Sequence, residues 1–174
     1  RNCRRCRRRP LAARCQGMSR DPQVFRTIYW DVAGPLEPSK KLRYNHFVIF
    51  VDSYSRYPFA YPLRSLSAKS MCDALMRMLE ITGVPVGMIA ASDNASNFRA
   101  SLTREVMKRL GISPVFSSPY HPVATVERAI QTAKNTIAKL AYEHEDSWTK
   151  YLGAVLWAMR STINQGIGVP PHLL

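Results

Sequence analysis

Three acidic residues stand in local sequences that suit chemistry: Asp31 in YWDVAGPL, Asp93 in ASDNASNF and Glu127 in SSPYHPVATVERA. Carboxylates that lie close together repel one another, and they stay jointly ionised only where a cation neutralises them. Their hard oxygen ligands select Mg²⁺ or Mn²⁺. Two such ions about 4 Å apart activate an attacking oxygen and stabilise the leaving oxygen of a phosphodiester. The three residues therefore predict a two-metal site for phosphoryl transfer.

Each acid on its own also has a simpler interpretation. Asp93 precedes Asn94 and could form an Asx-type turn. Glu127 could be one of the acids that stabilise the N-terminus of a helix. The spacing of the acids does not separate these interpretations from a metal site, so the elements that position them decide the matter.

The predicted elements follow the order three strands, helix, strand, helix, strand, helix and helix. The first strands are rich in β-branched and aromatic residues, and the apolar run from Phe47 to Val51 indicates a central strand covered on both faces. This order predicts an α/β fold with a five-stranded mixed sheet flanked by helices. Strands are predicted at residues 24–32, 46–54, 59–63, 86–92 and 113–116. Helices are predicted between Ser67 and Gly83, at roughly 100–110 and 126–143, and from Asp146 or Ser147 through Ile163.

The predicted elements place the three acids where α/β folds carry chemistry. Asp31 falls near the end of the first strand, Asp93 just past the fourth, and Glu127 in the first turn of the long helix. Since Asp31 alternates with Trp30 and Val32, its side chain should leave the sheet on the face opposite to theirs. We therefore expect the three acids to converge at one edge of the sheet.

Six phrases, in order along the chain, resemble the catalytic core of retroviral-type integrases, especially those of gypsy-type retrotransposons. They are YWDVAGPL, VDSYSRYPFAYPL, SDNASNF, LGISPVFSSPYHP, VERA and RSTINQGIGVPPHLL. The resemblance covers roughly residues 24–174, so we take 21–174 as the catalytic core. It implies a ribonuclease H-like fold and a polynucleotidyl transferase that processes the 3′ ends of element DNA and joins them to target DNA. Asp31, Asp93 and Glu127 would be the catalytic residues and the ligands of two Mg²⁺ or Mn²⁺ ions.

The same resemblance suggests residues that contact DNA. Gln131 and Lys134 follow Glu127 at helical spacing, and this helix face meets DNA in the family. Lys134 is then a candidate phosphate contact and Gln131 a contact to base or sugar, while an exposed helix face without a ligand is the alternative. Arg128 could contact DNA likewise or pair with an acid.

The resemblance also guides the interpretation of two loop residues and one further acid. Tyr120 and His121 lie in the loop before the long helix, where an aromatic ring could stack on a nucleotide and a histidine could contact phosphate. Asp52 ends the central strand, but the corresponding family position is not a catalytic acid. We therefore interpret Asp52 as structural.

Two departures from the family pattern leave an alternative open. Ala95 stands where the family usually has a glycine after SDN, which removes easy access to positive φ. Between YHP and VER only residues 123–125 intervene, and 33 residues separate the second acid from the third, fewer than is usual. The alternative is a catalytically impaired, integrase-derived module that binds nucleic acid. A third interpretation, a ribonuclease H-like hydrolase, gains no support from the integrase-like phrases.

The basic charge of the chain is concentrated at its start. The net charge is +13, and residues 1–20 hold eight Arg and no acid, which leaves +5 on the remainder. Such a segment is typical of contacts with phosphate backbones and of nuclear import, although a merely solvated tail is an alternative. We expect DNA as partner, a nuclear location and self-association of the kind found in the family. No apolar run approaches the roughly 20 residues that cross a bilayer, so we expect no membrane partner.

The cysteines add one further prediction. Cys3 and Cys6 form a Cys-x-x-Cys pair that resembles half of the zinc-binding module preceding integrase cores. Four ligands are needed and no histidine lies upstream, so we expect no ordered zinc site in residues 1–20. This basic segment would then be the remnant of a module that binds Zn²⁺ in a longer protein, inside which the chain is expected to begin.

Overall fold

The structure is a computed structural model that describes residues 23–36, 43–92, 101–116, 124–144 and 147–174. These ranges hold five strands and four helices, in the order three strands, helix, strand, helix, strand, helix and helix, followed by a short 3₁₀ turn at Pro171–Leu173. The strands are β1 (Thr27–Ala33), β2 (His46–Asp52), β3 (Pro58–Leu63), β4 (Ile89–Ser92) and β5 (Ser113–Phe116). The helices are α1 (Ala68–Thr82), α2 (Ser101–Arg109), α3 (Ala124–His144) and α4 (Thr149–Ser161). Within the described ranges, no helix combines the length and apolar character that crossing a bilayer demands.

The five strands form one mixed sheet in the order β3-β2-β1-β4-β5. The first three strands pair antiparallel, whereas β4 and β5 run parallel to β1. Parallel neighbours need a crossover, and α1 and α2 supply the crossovers before β4 and β5. The predicted five-stranded mixed sheet is confirmed.

Two apolar cores lie on opposite faces of this sheet. On one face α1 and α2 cover β-strand residues that include Ile28, Trp30 and Val48. On the other face α3 and α4 cover residues that include Phe47, Ile49 and Val51. The run from Phe47 to Val51 is at most 1% exposed and contributes to both cores, as the sequence predicts for a central strand.

Capping groups and apolar periodicity set the helix limits much as predicted. Ser67 caps α1 by accepting a hydrogen bond from the backbone N–H of Ser70 at 3.2 Å, and Gly83 ends the helix with φ 66°. In α3 the residues Ile130, Ala133 and Ile137 are buried at helical spacing. Helix α3 therefore lies with its apolar stripe on the sheet.

Several predicted boundaries were wrong. Strand β1 begins at Thr27 rather than at residue 24, because Phe25 adopts a left-handed φ of 63° and cannot continue a strand. Strand β4 begins at Ile89 rather than at residue 86, after Gly87 with φ 72°. Helix α4 ends at Ser161, so Ile163 is not a core residue but is 64% exposed.

Gly34, directly after β1, is fixed by lack of space as well as by backbone conformation. Its φ is 140°, and an added Cβ would lie 2.5 Å from Cδ2 of His46 and 2.8 Å from the carbonyl oxygen of Asn45. We expect Gly34→Ala to lower the free energy of unfolding by about 1 to 3 kcal/mol, because backbone and side chain must both move. Equilibrium denaturation in urea measures this change.

Gly153 provides the matched control for that substitution. It lies on the exposed side of α4, and an added Cβ would meet no atom within 4 Å. Gly153→Ala should raise the free energy of unfolding by about 0.5 to 1 kcal/mol, since alanine restricts the unfolded chain and favours a helix. Equal effects of the two substitutions would contradict the steric explanation for Gly34.

Candidate metal-binding and DNA-binding site

Asp31 lies close to the carboxyl end of β1 on the sheet face that α3 and α4 cover. Its strand neighbours on that face, Tyr29 and Ala33, pack in the α3–α4 core, whereas Trp30 packs in the core beneath α1. The side chain is half-buried, and its Oδ1 accepts a hydrogen bond of 2.7 Å from the backbone N–H of Val32. The face predicted from strand alternation is the observed one.

Strand β4 ends beside Asp31. In the parallel register Ser92 pairs with Trp30, one residue before Asp31, and neighbouring strands lie about 4.8 Å apart. The chain therefore leaves β4 next to the first predicted acid. Asp93 itself lies outside the described residues, as do Tyr120, His121 and the two cysteines Cys3 and Cys6.

Glu127 is in the first turn of α3 and is exposed. Helix α3 packs against β1 and β2 through Ile130, Ala133 and Ile137, on the face to which Asp31 points. Asp31 and Glu127 thus belong to the same layer of the fold.

The other predicted residues of α3 occupy different surroundings. Gln131 is exposed, and its Nε2 donates a hydrogen bond of 2.8 Å to Oδ1 of Asn135. Lys134 is half-buried, and Arg128 is exposed. Arg128 also lines a cavity between α3 and α4. Its helical spacing from Glu127 does not indicate this position.

Asp52 lies away from this site, in agreement with its structural interpretation. It pairs with Ile28, three residues before Asp31 and therefore about 10 Å along the strand. Both of its carboxylate oxygens accept hydrogen bonds, Oδ1 from the backbone N–H of Phe25 and Oδ2 from Ser55. Asp52 holds together the turn between β2 and β3 rather than facing the predicted site.

The described part of the site suits a hard divalent cation. Asp31 is half-buried at a strand end and Glu127 is exposed at a helix start, and carboxylate oxygens are the donors that Mg²⁺ and Mn²⁺ prefer. Among the described residues, which exclude Asp93, no group of three His, Cys, Asp or Glu side chains could hold a metal ion. Asp31 and Glu127 carry carboxylates of the type that binds such an ion, and the predicted third ligand, Asp93, lies outside the described residues.

The mixed sheet of five strands, with its helices on both faces, defines the class of protein as ribonuclease H-like. The fold is shared with integrase structures. A simian T-cell lymphotropic virus intasome in complex with PP2A regulatory subunit B56 gamma superposes with a TM-score of 0.77, at 17% identity, over 91% of this chain and 56% of that chain. The HTLV-2 integrase catalytic core domain in complex with magnesium has a TM-score of 0.69 at 16% identity, over 86% of this chain and 95% of that chain.

Sequence comparison gives the family itself. The profile of the family described as Integrase core domain matches residues 21–122. The Pro-Pol polyprotein of Simian foamy virus type 1 is 30% identical over 148 residues, which are 84% of this chain and 12% of that polyprotein. The chain therefore belongs to the integrase core domain family, and it spans about one eighth of the length of that relative.

Proposed function

We propose that this chain is the catalytic core of an enzyme that integrates DNA by metal-dependent polynucleotidyl transfer. The observation that carries the proposal is the shared layer of two acids: Asp31 points to the sheet face that α3 covers, and α3 carries Glu127 in its first turn. Membership of the integrase core domain family supports the same activity.

Asp31, Asp93 and Glu127 would hold the divalent ions. The HTLV-2 catalytic core, which shares the fold, is a complex with magnesium, and this favours Mg²⁺ over softer metals. When bound, Mg²⁺ or Mn²⁺ supplies activation of the attacking oxygen and neutralisation of the leaving oxygen at a phosphodiester. The backbone N–H of Val32 donates to Oδ1 of Asp31, and this hydrogen bond would help to orient the carboxylate as a ligand.

The part of α3 that follows Glu127 would bind DNA. Lys134 and Arg128 supply positive charge for phosphate groups, and Gln131 supplies an amide for a base or sugar. Gln131 would exchange its hydrogen bond with Asn135 for one to DNA, which costs little on an exposed helix. Tyr120 and His121 would add contacts from the preceding loop.

Several wider features belong to the same proposal. The six ordered phrases support a source among gypsy-type retrotransposons, and the basic residues 1–20 support contact with DNA and a nuclear location. Self-association is supported by solved relatives that include an intasome and a catalytic core described as a trimeric form. In a longer protein, Cys3 and Cys6 would contribute to a Zn²⁺ module.

Strand transfer by the whole natural protein tests the enzymatic proposal. With Mg²⁺, Asp31→Asn is expected to reduce the joined DNA product at least about 100-fold, because even groups that only support a ligand contribute 10- to 100-fold. Chelation by EDTA should stop the wild-type reaction. Asp73→Asn, the same change on the exposed side of α1, should leave the yield unchanged.

The outcomes separate the proposal from its alternative. Equal yields from wild type and Asp31→Asn, or a reaction that persists in EDTA, would refute a metal site at Asp31. If the wild type retains DNA on a filter yet forms no joined product with either Mg²⁺ or Mn²⁺, the impaired binding module is correct. The shortened connection before Glu127 is the sequence feature that favours that alternative.

A further inference from the structure

A cavity of about 390 Å³ lies between α3 and α4, away from the face of α3 that carries Gln131 and Lys134. Val51 of β2 forms part of its wall, Thr132 and Thr136 line it from α3, and Val155 and Met159 line it from α4. Residues 162–166, which follow α4, complete the wall. Its volume falls within the range of pockets that bind small organic molecules, about 300 to 1,000 Å³.

The charge of the cavity is positive. Arg56 and Arg128 line it, and no acidic side chain does so among the described residues. Arg56 is only 6% exposed, and arginine keeps its charge at any pH that a folded protein tolerates. A charge with little solvent around it acts more strongly on an anion than a charge in water does. The electrostatics therefore favour a negatively charged group.

The position of Arg56 is set by the turn between β2 and β3. Its φ is 63°, and its backbone N–H donates a hydrogen bond of 3.0 Å to the carbonyl oxygen of Asp52. The backbone from which the guanidinium extends is thus held by the same buried aspartate that organises the turn. A charged side chain whose backbone is already fixed loses less conformational freedom when it binds a ligand.

The remaining wall is suited to an apolar body. Val51 and Val155 are buried, and Met159 has a flexible, polarisable side chain that adapts to irregular shapes. The hydroxyl groups of Thr132, Thr136 and Thr162 offer hydrogen bonds around this apolar floor. The wall thus matches a molecule with a compact apolar part and a polar end.

We propose that this cavity binds a small organic anion, with its charged group between Arg56 and Arg128 and its apolar body on Val51, Val155 and Met159. Arg128 is also a proposed DNA contact, so the cavity adjoins the proposed DNA-binding surface, but binding of the anion does not depend on the proposed integration activity. A small molecule bound in the cavity would contact both α3 and α4, since both helices contribute to the wall, and would therefore affect this layer of the fold.

A pair of matched dyes tests the proposal on the full chain by isothermal titration calorimetry. The anionic dye 1-anilinonaphthalene-8-sulfonate carries the required charge, and N-phenyl-1-naphthylamine has the same aromatic body without it. The sulfonate should bind one site per chain, and the neutral dye should bind at least about tenfold more weakly, because it lacks the partner of the arginines. Equal affinities would overturn the role of the two arginines.

Protein variants locate the bound dye. Thr132→Trp places a large side chain into the cavity from an exposed position of α3 and should abolish sulfonate binding while the far-UV circular dichroism is unchanged. Arg128→Glu should weaken binding at least about tenfold. Lys108→Glu makes the same charge change on α2, across the sheet, and should leave the affinity unchanged. Unaltered binding to a folded Thr132→Trp protein would place the dye elsewhere and refute the site.

Discussion

Glu127→Gln should reduce strand transfer by the whole natural protein at least about 100-fold, equivalent to about 2.7 kcal/mol in the activation barrier. Gln has the size of Glu but no charge, so it is a poor ligand for a hard divalent cation. Glu127 is exposed in the first turn of α3, and its replacement should not disturb the core. Gel analysis of joined DNA measures the loss.

The result depends on a connection that is short in this chain. Only residues 123–125 stand between the YHP and VER phrases. Helix α3 begins at Ala124, so Glu127 is already in a helical turn and its backbone position follows from the packing of α3 on the sheet. The packing of α3 on the sheet would therefore bring the third carboxylate to the site.

Glu105→Gln is the matched control. Glu105 is exposed on α2 and pairs with Arg109 at 2.9 Å, an arrangement that contributes little to stability. Its replacement should leave strand transfer unchanged. If Asp31→Asn is inactive while Glu127→Gln retains full activity, Glu127 is not a ligand, and the shortened connection has excluded it from the site. If both retain full activity, the metal-dependent mechanism is wrong as well.

Local patterns in the sequence predicted the parts of the fold that depend on neighbouring residues. Alternation along β1 gave the face of Asp31, and steps of three and four along α3 gave the stripe that contains Ile130 and Ala133. Ser67 and Gly83 marked the ends of α1 through their own capping chemistry. Each of these predictions needed only residues within a few positions of one another.

Features that join distant segments could not be predicted in that way. Val24 and Phe25 look like the start of a strand, yet Phe25 turns to donate its N–H to Asp52, 27 residues away. Ile163 fits the spacing of α4, but the helix stops at Ser161 and Asn164 organises a turn by accepting the N–H of Gly166. The cavity was missed because its wall combines β2, α3 and α4, and its only sequence signal is the presence of threonines on α3.

Asp52→Ala should lower the free energy of unfolding by about 3 to 5 kcal/mol, a large part of the 5 to 15 kcal/mol typical of a domain. Asp52 is fully buried. Its carboxylate accepts three hydrogen bonds, from the N–H of Phe25 at 2.9 Å and from the N–H and Oγ of Ser55 at 2.7 and 2.6 Å. Alanine would leave two backbone donors without an acceptor, and each such loss costs about 1 to 3 kcal/mol.

A graded series distinguishes this explanation from a simple loss of packing. Asn fills the same space but has one acceptor oxygen, so either orientation directs an NH₂ group at the N–H of Phe25 or of Ser55, and Asp52→Asn should cost about 1 to 3 kcal/mol. Ser55→Ala removes the hydrogen bond from the Ser55 hydroxyl to Asp52 and the one that this hydroxyl accepts from the N–H of Tyr57, and it should cost about 1 to 2 kcal/mol. Asp73→Asn, at an exposed position, should change stability by less than about 0.5 kcal/mol. Urea denaturation measures all four variants, and an Asp52→Asn protein as stable as the wild type would show that hydrogen bonding by this carboxylate does not hold the turn.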